Sequence, residues 1–245
     1  MSDAPLRLTL SVPERSGTDE VLVGVVTLVN DGPDPASVNA RLNLAEGDLS
    51  VLVTGPAGPA QAAWPWPADS GLREVTLGGG QALESGVLLL CTATSQPLFP
   101  TSGSYTLVAS YAVTPTRTLT SPPARVVRTP PAADSVGAAA TSLTDRDVIQ
   151  SIAGAGALGA ARPRLEELAR GTGVTALLAS LALGSDEAMD SASVDPVTAS
   201  AAASAVLLEG DDRRDRAASA VAGNVRATAI LAGTPHQVVT DPPTG

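Results

Sequence analysis

With 245 residues, 44% of them hydrophobic, the chain holds enough apolar material for one large core or two ordinary ones. Only 2% of residues are aromatic, all 15 basic residues are Arg, and the net charge is −10. That balance excludes an aromatic platform for stacking bases, an electrostatic footprint for duplex DNA and a polybasic segment for anionic lipid.

The absence of Lys, with 23 Gly and 20 Pro, points to a GC-rich coding sequence. The one cysteine, Cys91, rules out a disulfide within the chain. It follows the apolar run 87–90 and is expected to behave as a small buried hydrophobe. The start, Met1-Ser2-Asp3-Ala4-Pro5, lacks the basic and apolar regions of a signal peptide. No stretch reaches the roughly 18 apolar residues of a membrane span. A cytoplasmic protein is the expectation, with signal-independent export left open and no membrane insertion.

The first half reads as strands. Leu6, Leu8, Leu10 and Val12 alternate with polar residues, which puts one face on a core and one in water. Residues 21–29 form a Val-rich run interrupted by Gly24 and stopped by Asn30-Asp31-Gly32-Pro33. Val38, Ala40, Leu42 and Leu44 alternate with polar residues and predict a further strand. Another is expected over 49–54, ending at Gly55-Pro56. Residues 57–70 then read as a Pro- and Trp-containing excursion. Strands are also expected over 72–77 and 83–91, split by Gly78-Gly79-Gly80. Tyr105, Leu107, Ala109, Tyr111 and Val113 share one face of the next, and 117–128 supplies the last. About eight short strands with turn signals between them form the pattern of an antiparallel sandwich.

The segment Gly103-Ser104-Tyr105-Thr106-Leu107, entering a penultimate strand, resembles the corner of bacterial immunoglobulin-like domains. Residues 83–87 resemble the strand before that corner. The resemblance covers about residues 6–130. It implies that the Tyr105 hydroxyl bonds back to the loop it leaves, and that the module serves display or interaction. Two features depart from the antibody-type pattern: there is no Cys pair, and no Trp lies between Val38 and Leu44.

Composition changes at Pro130-Pro131, and residues 130–142 read as a linker. Helix signals follow. Ser142-Leu143-Thr144-Asp145 offers a start, Pro163 opens 164–170 with Gly171 as its stop, and Gly173 and Gly184 bound the apolar segment 174–183. Asp195-Pro196 predicts a helix over 197–209. A last helix runs from Asp211 or Asp212 to Ala232, with Ala217, Val221, Val225 and Ala229 on one face. Such Ala-, Ser- and Gly-rich helices bury little area each, so they are expected to pack on the sandwich or on another chain. The expected fold class is α+β by segregated regions. An N-terminal antiparallel immunoglobulin-like β-sandwich spans 1–129, a linker 130–142, a small-residue helical region 143–233 and a disordered tail 234–245.

Candidate chemistry is sparse. Gly154-Ala155-Gly156-Ala157-Leu158-Gly159 matches a dinucleotide-binding glycine run, but no strand-helix-strand series follows it. His236 is the one histidine, which excludes a multi-histidine metal site within a chain. Glu166-Glu167 and Asp211-Asp212 are adjacent pairs that diverge on a helix. Asp186, Glu187 and Asp190 lack the spacing of a calcium loop. No catalytic set, metal site or cofactor is expected. Trp64 and Trp66, in the Pro-rich loop, read either as interaction anchors or as a cap on an aromatic-poor core. The candidate interaction residues are therefore Trp64, Trp66, Val221 and Val225. The expected function is non-enzymatic: a binding or structural protein that acts through a protein partner or self-association, without nucleic acid. The alternatives are an accessory or carrier subunit of a larger enzyme or secretion-type machine, and a nucleotide-binding enzyme using the glycine run.

Overall fold

A computed structural model describes residues 5–65, 74–131, 143–155 and 159–185. Among them the chain is β-rich, with three short helices. Strands β1 (Leu6–Ser11), β3 (Leu22–Asn30) and β8 (Ala82–Leu89) form one antiparallel sheet in the order β1-β3-β8. The larger sheet runs β2 (Arg15–Gly17), β11 (Ala124–Thr129), β9 (Gly103–Thr114), β5 (Leu49–Gly55) and β6 (Gly58–Ala62), with β10 (Arg117–Thr120) also on β9. Strands β4 (Ala36–Asn39) and β7 (Glu74–Leu77) pair separately. Every ladder is antiparallel except β2 on β11.

The alternation read in β9 is the alternation of burial: Tyr105, Leu107, Ala109, Tyr111 and Val113 point inward. They meet Leu8, Leu10, Val26 and Leu28 of the opposite sheet in one core cluster. The Tyr105 hydroxyl donates to Thr101 O at 2.7 Å, the backward bond expected at the corner. The Tyr105 ring meets Phe99 edge-on at 5.0 Å. It also fills the space where a Cβ on Gly55 would lie. At the other end of the strand, the Tyr111 hydroxyl donates to Asn39 O.

Four local expectations are corrected. The strand expected through Leu44 stops at Asn39, although Ala40, Leu42 and Leu44 are all buried. There Leu42 N–H donates to Ala40 O and Asn43 N–H to Arg41 O, each at 2.9 Å. These tight turns bury the same residues without a ladder. The excursion after Gly55 begins as a hairpin, with β6 folding back on β5 through Gly58 at φ +97°. The strand expected over 117–128 is two strands broken at Pro122-Pro123, whose ring nitrogens have no proton to give the ladder. Ser121 bridges the break: its N–H donates to Ala109 O at 2.8 Å and its hydroxyl accepts from Ala109 N–H at 3.0 Å. Finally, β2 was not foreseen, because three residues are too few to show a period.

Helices lie close to the three signals read first, with the second shifted to 162–168 from the expected 164–170. Helix α1 (Arg146–Gln150) starts at Asp145, whose carboxylate accepts from Asp147 N–H at 2.8 Å, and continues into a π-helical turn over Ser151–Ala155. Helix α2 (Arg162–Leu168) carries Pro163 in its first turn, and α3 (Gly173–Ala182) is followed by Gly184 at φ +86°. Val148, Ile149, Ile152, Leu165 and Leu178 enter the same core as the strands. Val21 N–H donates to Thr175 Oγ1 at 2.9 Å, and Gln150 Nε2 donates to Ser95 Oγ at 3.2 Å. Of the two surfaces expected to receive the helices, these three use the β-region. Most of the expected linker, the helices expected over 197–209 and 211–232 and the expected tail lie outside the described residues. Among the described residues, no helix is long and apolar enough to cross a membrane.

Cys91 is buried, and burial pushes its thiol up to about 12. We expect the native protein to resist a thiol-reactive dye at pH 8, and to label stoichiometrically once unfolded in guanidinium. Native labelling at the rate of a free thiol would contradict this burial. Removing the corner hydroxyl by Tyr105→Phe should lower stability by about 1 kcal/mol, read as a fall of roughly 2–4 °C in melting temperature.

Candidate interaction surface

The residues singled out in the sequence are dispersed. Trp64 is 7% exposed and packs with Leu44, Val87 and Leu88 around a cavity of about 20 Å³. That is the core-capping alternative at this position, not a presented anchor. Its indole N–H has no hydrogen-bond partner among the described residues. Trp66, Val221 and Val225 lie outside the described residues, as do His236, Asp186, Glu187, Asp190, Asp211 and Asp212. The glycine run begins inside the π-helical turn that continues α1, so helix precedes it where a dinucleotide motif needs a strand. Glu166 and Glu167 are exposed on α2, Glu166 lying 3.8 Å from Arg162. Among the described residues, no group of three or more His, Cys, Asp or Glu is placed to hold a metal. A cleft of about 470 Å³ opens where β1 leaves β3, between Val12, Val23 and Thr175. The one acid on its wall, Glu20, is turned toward Ser16 and Gly17.

The larger sheet carries a different kind of feature. Its inner residues are the odd-numbered ones of β9, so Ser104, Thr106, Val108, Ser110 and Ala112 form the outer face. Register carries that face across the neighbours. Leu52 is opposite Val108 on one side and Gln61 on the other. Arg125 is opposite Thr106, and Val127 opposite Ser104. In the parallel ladder Arg15 is beside Val127. Leu52 and Val127, at 48% and 39% exposure, are the large hydrophobics most open to solvent among the described residues. Both stand on this face. The six strands of the sheet contain Arg15, Arg117, Arg125 and Arg128 and no Asp or Glu.

A buried arginine holds the edge of this face. Arg128, 3% exposed, points inward from β11 and donates to Ser16 Oγ at 2.7 Å and to Glu20 O at 2.6 Å. Ser16 in turn donates to a Glu20 carboxylate oxygen at 2.8 Å, which also accepts from Gly17 N–H at 2.8 Å. The guanidinium stands 5.0 Å over the Phe99 ring. Burial draws the Arg128 pKa down from the ordinary arginine range, and Glu20 works against that shift. The relay keeps β2 on β11, and so keeps Arg15 next to Val127.

The sequence reading missed Leu52, Val127, Arg15 and Arg125. A signal existed for two of them. In residues 49–54 the inward set is Leu49, Val51 and Val53, so Leu52 stands in the polar phase; Val127 likewise falls in the phase of Arg125 and Thr129.

No protein-family model matches the chain, and no curated protein matches it. A solved structure, the crystal structure of Bacteroides uniformis beta-glucuronidase, overlaps 49% of this chain and 12% of that one, with 16% identity and a TM-score of 0.23. A likeness of that size carries no argument about fold or activity, and the overlap spans a small part of the other protein.

Ser16→Ala should cost about 1–3 kcal/mol, because it leaves the buried guanidinium without one acceptor and the Glu20 carboxylate with only one of its two donors. Thermal melts of the variant check this, and a loss below roughly 0.5 kcal/mol would mean that the relay is not what holds β2.

Proposed function

We propose that the chain is a non-enzymatic binding protein built on an immunoglobulin-like sandwich, and that it docks a protein partner through the outer face of the larger sheet. The observation that carries this is the position of Leu52 and Val127. Both are exposed, both lie on one face of one sheet, and no strand of that sheet has an acidic residue. Single exposed hydrophobics are ordinary on a protein surface. Two on a face made mostly of Ser, Thr, Val and Ala are different, because such side chains give up little hydration when a partner covers them.

The immunoglobulin-like reading draws on three features. The N-terminal segment divides between the two sheets, as β1 on β3 and then β2 on β11. The sheet orders β1-β3-β8 and β2-β11-β9-β5-β6 are compatible with such a sandwich. The Tyr105 bond to Thr101 supplies the corner. Two groups that could react are engaged: the Cys91 thiol is buried, and Glu20 accepts from Ser16 and Gly17.

The test is affinity capture from the native host together with sedimentation velocity, comparing the full chain with a Leu52→Glu/Val127→Glu variant. The wild type is expected to hold a partner, or a second copy, at fixed stoichiometry. The variant should lose it, with stability changed by no more than roughly 0.5 kcal/mol. A variant that retains the same partner, or a wild type that captures nothing and sediments as a monomer, would sink the reading.

A further inference from the structure

The cations of the larger sheet identify the chemistry of what it takes. Arg15 and Arg125 are exposed and flank Val127: Arg125 lies two residues away on the same strand, and Arg15 is its partner across the parallel ladder. Both therefore share Val127's side of the sheet. Strand spacings of about 4.8 Å and residue spacings of about 3.3 Å put the three side chains within one small patch.

Neither arginine has an ion-pair partner among the described residues. Four of the other described arginines sit beside acids: Arg7 on Asp31 at 2.7 Å, Arg41 on Asp48, Arg162 near Glu166 and Arg164 on Asp145. Glu14, next to Arg15 in sequence, makes no ion pair with it. The chain as a whole is acidic, with 25 Asp and Glu against 15 Arg. A patch of cations around an exposed valine, on strands without an acid and bordered by Glu14, whose carbonyl accepts from Val127 N–H at 2.9 Å, thus runs against the charge of the rest of the protein.

We propose that this patch binds an acidic protein segment, with Arg15 and Arg125 pairing carboxylates on either side of an aliphatic side chain seated on Val127. The inference rests on the reading of this face as an interface and specifies its partner. Guanidinium groups suit the role because they pair carboxylates through two parallel hydrogen bonds and hold less water than an ammonium. The attraction also orients the encounter before contact, and it is screened over about 8 Å at physiological salt.

The probe is an end-blocked peptide of alternating Glu and Val, with a Gln-Val peptide as its neutral control. Each is titrated into the isotopically labelled full chain and followed by amide chemical shifts. The Glu-Val peptide should shift residues 15, 104–106 and 125–127, bind roughly tenfold more weakly when salt is raised past the screening limit, and outdo the control. An Arg15→Glu/Arg125→Glu variant should lose these shifts while keeping its melting temperature. Shifts spread equally over exposed arginines of the helical region, such as Arg146 and Arg170, would overturn the assignment, as would equal binding of the control.

The same arginine variant also goes through the capture experiment. If it keeps the partner that the Leu52→Glu/Val127→Glu variant loses, the interface stands and the acidic-partner assignment fails. If both variants keep the partner, both proposals fail.

Discussion

The guanidinium of Arg128 is the group on which the outer surface depends. It is a charge removed from water, and its nearest carboxylate is reached only through a serine hydroxyl. Burying a cation this way is costly unless its protons are used. Here Ser16 Oγ and Glu20 O take up protons of the two terminal nitrogens and the Phe99 face lies against the guanidinium, while the Nε proton has no partner among the described residues. The residues joined are more than a hundred positions apart, so the relay closes the β-region from its first strands to its last. Without it, a three-residue strand would have little reason to remain at a sheet edge, and Arg15 would have no fixed relation to Val127.

The rest of the core solves a shortage of large side chains. With aromatics at 2% of the sequence, packing relies on Leu, Val and Ala, each of which buries modest area. Two tyrosines are spent on β9, one near each end, and both hydroxyls reach backbone carbonyls. They therefore fill volume and tie adjoining loops to the strand at once. The three helices add Val148, Ile149, Leu165 and Leu178 to the same cluster. Helices too rich in small residues to form a core of their own complete one that the strands leave open.

The surface follows from the same arrangement. A sheet whose inner face is filled by alternating apolar residues presents the other phase outward, and in most positions that phase is Ser, Thr or small aliphatic. Leu52, Val127, Arg15 and Arg125 are among the departures from it. They occupy one side of one sheet because strand register puts them there, not because they are near one another in the chain. A neutral field with cations at one border is suited to a partner whose carboxylates set its orientation and whose apolar side chains supply contact area.

The sequence by itself determined the strands that show a period and the helices that carry caps. The alternation in 105–113, the turn cluster after residue 29, the Asp145 cap and the Gly184 stop were legible because each is a local preference of a few neighbouring residues. Local alternation could not reveal that burial in 40–44 comes from tight turns, since turns and strands can bury the same side chains. Nor could it reveal β2, whose pairing partner, β11, lies more than a hundred residues away along the chain. Trp64 read equally as anchor or cap until packing turned it inward. The proposed interaction surface was the least legible of all. Leu52 could be seen as out of phase, but its alignment with Val127, Arg15 and Arg125 is a matter of register across four strands, and register is decided only when the sheet assembles around its core.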